Sequence, residues 1–161
     1  MNTDIRGPFP ITSWNGHRFI TFTDDYSRYG YLYLIHEKSQ SLKMFKIYKT
    51  EVENQPNRKI KAVRSDRGGK YYAIYDGLGR CPRSFANFLK ECDIVAQYTM
   101  SGTPRQNGVV ERRNHTLKDM IMSMIAHTTL PESLWSEALN TTVYLLHRVL
   151  GKTVTKTLYE L

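Results

Sequence analysis

An α/β domain built on a mixed, five-stranded sheet is the architecture this sequence predicts. Three observations point to it. Aromatic and β-branched runs crowd the first 35 residues, helical periodicity then alternates with single short strands, and two long apolar stripes at helical spacing follow.

The elements come in order. The first eight residues read as a strand ending at Gly7-Pro8, followed by the turn-like Ser13-Trp14-Asn15-Gly16. Residues 18–23 and 30–35 are strands separated by Asp24-Asp25-Tyr26-Ser27-Arg28, a polar break short enough for a hairpin. Residues 40–53 place Leu42, Phe45, Ile47, Tyr48 and Val52 at helical spacing, with Lys43, Lys46 and Lys49 on a polar side that is either solvated or touches DNA. A strand is expected over 59–64, a Gly- and Tyr-rich loop over 71–83, and a helix over 84–91 with Phe85, Phe88 and Leu89 inward. A brief strand over 94–98 leads into a Gly/Pro/Ser/Asn loop over 99–108. Val110, Leu117, Met120, Ile121, Met124 and Ile125 mark the next helix. The last begins near Pro131-Glu132, where proline suits the first turn and glutamate the helix dipole. Its expected inward stripe is Leu134, Trp135, Ala138, Leu139, Leu145, Leu146 and Val149.

Composition narrows the function classes. With 161 residues, 40% hydrophobic and 24% charged, the chain fits one globular domain. The excess of 23 Lys+Arg over 15 Asp+Glu gives a net charge of +8, which favours a polyanionic partner. Cys81 and Cys92 carry no C-x-x-C spacing and read as two reduced thiols of an intracellular protein. No apolar run reaches the roughly 18 residues of a membrane span, and no signal-peptide pattern opens the chain. The sequons at Asn114 and Asn140 are read as chance matches. Gly151-Lys152-Thr153 lacks the upstream glycine of a phosphate-binding loop, since Leu146 stands there, so nucleotide hydrolysis is unsupported. The stretch after Gly151 is too short to form a unit and points to a piece of a longer polypeptide.

Phosphodiester chemistry with two divalent cations needs hard oxygen ligands from separate elements, set beside small or flexible neighbours. Asp66 follows a predicted strand and precedes Gly68-Gly69; Glu111 stands near a helix start just beyond a flexible loop; Asp4 lies in the first strand. Each acid alone reads as surface, and only the set is suggestive. Asp24 and Asp25 compete, but turn formation is the better account of them.

Four segments then resemble a known family: Thr3-Asp4-Ile5-Arg6-Gly7-Pro8, Phe22-Thr23-Asp24-Asp25-Tyr26-Ser27-Arg28, Arg64-Ser65-Asp66-Arg67-Gly68-Gly69, and Thr103-Pro104-Arg105-Gln106-Asn107-Gly108-Val109-Val110-Glu111-Arg112. Together with Leu130-Pro131-Glu132-Ser133-Leu134-Trp135 they are similar to the integrase catalytic core of Ty1/copia retrotransposons, of the retroviral integrase superfamily. The resemblance implies an RNase H-like fold and a D,D,E triad of Asp4, Asp66 and Glu111 holding two Mg²⁺ or Mn²⁺ ions. It makes Asp24-Asp25 a structural strand–turn signature. It assigns 1–150 to the catalytic core and 151–161 to the start of a truncated C-terminal segment. Double-stranded DNA (element ends and target) and a homo-oligomer are the implied partners, the nucleus and a cytoplasmic virus-like particle the implied locations, and no membrane is involved. The family's zinc-binding segment and basic tail are missing from this chain, and its histidines and cysteines show no zinc-ligand pairing.

Around the triad, Glu111, His115 and Lys118 share one helix face, which is either a solvated face or a track for DNA ends. Arg64 and Arg67 flank Asp66, to bind phosphate or to offset carboxylate repulsion; Gln106 and Asn107 stand in the loop; Arg112 and Asn114 complete the expected DNA-contacting set. Arg113 is expected to face DNA, a partner subunit or water. The function so implied is 3′-end processing and strand transfer of element DNA into target DNA. Two rivals stand beside it: an RNase H-like nuclease, and a decayed or domesticated DNA-binding or oligomerising module without catalysis.

Overall fold

The computed structural model describes residues 1–7, 18–25, 27, 29–55, 58–65, 74–75, 80–81, 84–98, 108–129 and 131–148. Strand β1 (Asn2–Arg6) lies at the centre of a five-stranded sheet, flanked by β2 (Arg18–Thr23) and β3 (Gly30–Ile35) on one side. On its other side are β4 (Ala62–Ser65) and β7 (Val95–Tyr98), giving the order β3-β2-β1-β4-β7. The first three strands are antiparallel, with Asp4 opposite Thr21 and Phe22 opposite Tyr31. β4 runs parallel to β1, with Asn2 against Arg64, and parallel to β7. The mixed sheet is therefore present as expected.

Period-two alternation in β2 divides the molecule into layers. Ile20 and Phe22 point to one face, where α1 (Ser41–Glu53) and α2 (Ser84–Glu91) cover them with Phe45, Tyr48, Phe85 and Leu89. Phe22 stacks on Tyr48 with centroids 4.7 Å apart. Phe19 points the other way, into a second core with Leu117 and Ile121 of α3 (Gly108–Ala126) and Trp135 and Leu139 of α4 (Trp135–Arg148). The sheet is thus sandwiched between two helix pairs.

The ends of several elements differ from the sequence reading. The strand expected over 59–64 runs Ala62–Ser65, since pairing with β7 begins only at Ala62. The segment read as a loop over 71–83 contains a small antiparallel pair, β5 (Ile74–Tyr75) with β6 (Arg80–Cys81). A 3-10 turn (Glu132–Leu134) precedes α4, and Leu145, expected inward, is 41% exposed. The inward positions of α4 include the polar Ser136, Thr142 and His147 instead. Asp24 does form a turn: its carboxylate accepts from the backbone N–H and the hydroxyl of Ser27 at 2.8 and 2.9 Å. Among the described residues no helix is long and apolar enough to cross a membrane. Residues 99–107, within the loop expected over 99–108, and residues 149–161 lie outside the described residues.

Candidate active site

Asp4 is set by alternation. Ile5 packs into the α1/α2 core, so its neighbour on β1 faces the α3 side of the sheet. There Asp4 is 9% exposed. Its Oδ1 accepts from the Ile5 backbone N–H at 2.8 Å. Its Oδ2 accepts from Arg6 Nε at 2.8 Å and from Asn114 Nδ2 at 3.0 Å. Asn114 is buried at 2% exposure, and its Oδ1 accepts from the Thr21 hydroxyl at 3.2 Å. Strand β2, strand β1 and helix α3 are therefore joined by one side-chain chain, Thr21–Asn114–Asp4, with the acid at its end.

Glu111 is half-buried on the first turn of α3, where a carboxylate is stabilised by the helix dipole. Glu111, Arg112, Asn114, His115 and Lys118 all line one cleft of about 790 Å³, with Arg6 on the opposite wall. Asp4 meets this cleft through Arg6 and Asn114, both of which line it and both of which bond Oδ2. Arg112 is exposed and turns back to donate to the Gly108 carbonyl at 3.1 Å. His115 is exposed and paired through Nδ1 with Asp119 at 2.8 Å.

Other expected site residues fall elsewhere. Arg64 is not among the residues lining the cleft; its guanidinium donates to Gln97 across β4 and β7 at 3.0 Å. Asn114, though it lines the cleft, spends its amide on Asp4 and Thr21. Asp66, Arg67, Gln106 and Asn107 lie outside the described residues. A second cavity, about 500 Å³, opens at the far end of β1 among Tyr29, Tyr31, Tyr48 and Lys59 and holds none of the expected site residues.

The sequence reading missed Arg6 and Asp119. Both carried a signal: Arg6 is two residues from Asp4 on one strand face, and Asp119 is four from His115 on one helix face. The bond from Asn114 to Asp4 spans 110 residues and has no local signature.

Asp4 and Glu111 offer carboxylate oxygens, the ligand type that a hard divalent cation takes. A cationic group already rests on Asp4 Oδ2, the Arg6 guanidinium, whose side chain is 45% exposed. Among the described residues no three His, Cys, Asp or Glu side chains come together, and the third expected acid, Asp66, lies outside them.

No family model matches the chain. Curated proteins do. It is 37% identical over 147 residues to the retrovirus-related Pol polyprotein from transposon TNT 1-94 of Nicotiana tabacum, covering 91% of this chain and 10% of that protein. The Pol polyprotein from transposon RE2 of Arabidopsis thaliana is 30% identical over 141 residues, 87% of this chain and 9% of the relative. The Transposon Ty1-DR4 Gag-Pol polyprotein of Saccharomyces cerevisiae is 28% identical over 142 residues, 86% and 8% respectively. The chain thus spans about a tenth of the length of these relatives. Among solved structures, the HTLV-2 integrase catalytic core domain in complex with magnesium (trimeric form) superposes with a TM-score of 0.65 at 15% identity, covering 98% of this chain and 91% of that one. The catalytic core domain of BIV integrase gives 0.64 at 19% identity, covering 99% and 90%. A chain of the simian T-cell lymphotropic virus intasome in complex with PP2A regulatory subunit B56 gamma gives 0.70 at 17% identity, covering 98% and 51%. The chain therefore belongs to the family of the Pol polyproteins of Ty1/copia-type transposons, of which it matches a segment, and it has the RNase H-like fold of retroviral integrase catalytic cores.

Proposed function

We propose that this chain is the polynucleotidyl transferase core of a retrotransposon integrase, with Asp4, Asp66 and Glu111 as its metal-holding acids. One observation carries the reading: Asn114, on the same helix as Glu111, bonds the carboxylate of Asp4, so β1 and the acidic end of α3 are held against each other. The register supports the remaining acid. Arg64 stands against Asn2 and β4 ends at Ser65, so Asp66 is the next residue in sequence after the strand that lies beside β1.

Two divalent cations, Mg²⁺ or Mn²⁺, when bound, activate the attacking oxygen and stabilise the leaving one. The protein's own part is to converge the carboxylates and to hold DNA. Asp4 Oδ2, now paired with Arg6, would be the oxygen offered to a cation, and Asn114 keeps that carboxylate in place. Lys118, His115 and Arg112, along the cleft wall, suit the phosphates of a DNA end. In the first step water attacks a phosphodiester near the 3′ end of the element, and the shortened strand leaves with a free 3′-OH. That hydroxyl then attacks a target phosphodiester, so one bond forms as another breaks and no Ser, Tyr or Cys nucleophile is needed. The intasome and trimeric forms of the structural neighbours support action as an oligomer on double-stranded DNA.

The test is disintegration of a branched DNA by this chain with Mn²⁺, beside Asp4→Asn, Asp66→Asn and Glu111→Gln, with manganese binding followed by calorimetry. Each substitution should lower turnover at least about a hundredfold, in the range seen when a positioned electrostatic group is removed. Variants that keep both turnover and manganese affinity would refute the triad. A wild type that binds manganese and duplex DNA without turnover would instead identify a binding module.

A further inference from the structure

Two residues beyond Glu111, Arg113 faces away from the cleft and into the body of the protein. It shares an α3 face with Leu117 and Ile121, both buried in the α3/α4 core. This corrects the expectation that Arg113 meets DNA, a partner or water. Its Nη2 is sealed from solvent, and that desolvation lowers the guanidinium's pKa.

What Arg113 rests on is Gly30, the first residue of β3. A Cβ at Gly30 would lie 3.1 Å from Arg113 Nε and Nη2 and 3.2 Å from Cζ, closer than side chains normally approach. The same Gly30 donates its backbone N–H to Nε2 of His147 on α4, at 3.3 Å in a buried setting. Tyr29 stacks on the His147 ring with centroids 4.0 Å apart and planes 22° from parallel. The start of β3, helix α3 and helix α4 therefore meet at one polar point, level with the turn of α3 that carries Glu111 and Asn114.

An apolar seat alone tolerates small slides and rotations of a helix. A planar guanidinium against a position without a Cβ admits far fewer settings. We infer that Arg113, seated on Gly30 beside His147, is a positioning residue that fixes the rotation and depth of the first turns of α3. It thereby sets where Glu111 and Asn114 stand relative to Asp4. What Glu111 does at that place rests on the function proposed above; the seat itself does not.

The experiment uses this chain with Gly30→Ala, Arg113→Met, the double variant, and Arg113→Lys, which keeps the charge but loses the plane. Amide hydrogen exchange over residues 108–114, thermal unfolding, manganese affinity and duplex affinity are measured for each. Gly30→Ala, Arg113→Met and Arg113→Lys should each speed exchange at 108–114 and weaken manganese binding by roughly three- to thirtyfold, the span of couplings carried through packed networks. Duplex affinity should stay within about twofold, because the guanidinium faces the interior. The double variant should recover most of the Gly30→Ala loss, since the added methyl no longer meets a guanidinium. Additive effects, or a lowered melting temperature with exchange at 108–114 unchanged, would reduce Arg113 to ordinary packing and overturn the assignment. If Gly30→Ala does not fold, Arg113→Lys decides on exchange alone. A wild type that binds no manganese sinks the reading of the acids, while the exchange data still decide the seat.

Discussion

At the scale of single residues, the site is a carboxylate with three donors on it and little freedom. Asp4 Oδ1 is held by its neighbour's backbone, while Oδ2 is shared between an exposed cation and a buried amide. The two partners of Oδ2 should behave oppositely when removed. Asn114→Ala leaves a nearly buried carboxylate short of a donor and strands the Thr21 hydroxyl, and should cost about 1–3 kcal/mol in chemical unfolding. Arg6→Gln removes the partner whose own side chain is 45% exposed, while the Ile5 N–H and Asn114 still hold the carboxylate, and should change stability by less than about 1 kcal/mol. It should also tighten manganese binding, measured by calorimetry, because the competing cation is gone; weaker binding would show that Arg6 orients Asp4 instead. Local context in the sequence singled out Asp66 and Glu111 as candidates, whereas Asp4 rested more on the family resemblance. The donors around Asp4 were not legible, because a contact between Asn114 and Asp4 depends on how a distant helix lands on the sheet.

At the scale of elements, alternation made the antiparallel strands readable. Arg18–Thr23 and Gly30–Ile35 emerge with the bounds expected, since period-two patterns report which face is covered. Helix α4 shows where such reading fails. Its inward side buries Ser136, Thr142 and His147, each of which a hydrophobic pattern assigns to solvent. Thr142 is tolerated because its hydroxyl donates to the Ala138 carbonyl at 2.7 Å, and His147 because its Nε2 accepts from Gly30. Burying a histidine has a consequence for pH. Burial first, then the neighbouring Arg113, lowers the His147 pKa to about 4, and Arg148 adds to it. The unfolded chain takes up that proton near pH 6.5, whereas the folded chain does so only near 4. Stability contributed by neutral His147 is therefore complete above pH 6.5 and drains away as pH falls toward 4. Allowing for partial solvent screening, the loss should be on the order of 1–2 kcal/mol. His147→Asn keeps an acceptor for Gly30 without titrating, so its unfolding midpoint should lose this part of the pH dependence. An unchanged profile would show that other groups carry it.

At the scale of the whole molecule, the question is where a net charge of +8 meets its partner. Two basic surfaces lie on opposite faces of the sheet. One is the α3 wall of the cleft, with Arg112, His115 and Lys118; the other is the outer side of α1, with exposed Lys43 and Lys46. The sequence could not choose between them, because a lysine at helical spacing looks the same whether it meets water or phosphate. The layers separate them physically, since α1 belongs to the layer remote from Asp4. Lys46 is moreover placed over the Phe88 ring at 4.7 Å, an arrangement that lets a basic side chain cover apolar surface. If the DNA track follows the cleft, Arg112→Gln with Lys118→Gln should cut the slope of log affinity against log salt by about two for a short duplex, each lost phosphate contact contributing about 0.9. Lys43→Gln with Lys46→Gln removes the same charge from the other layer and should leave that slope nearly unchanged. Equal losses from the two pairs, measured by fluorescence anisotropy over a salt series, would mean that the protein holds DNA by net charge alone. A loss confined to the α3 pair would place the duplex along the helix that carries Glu111.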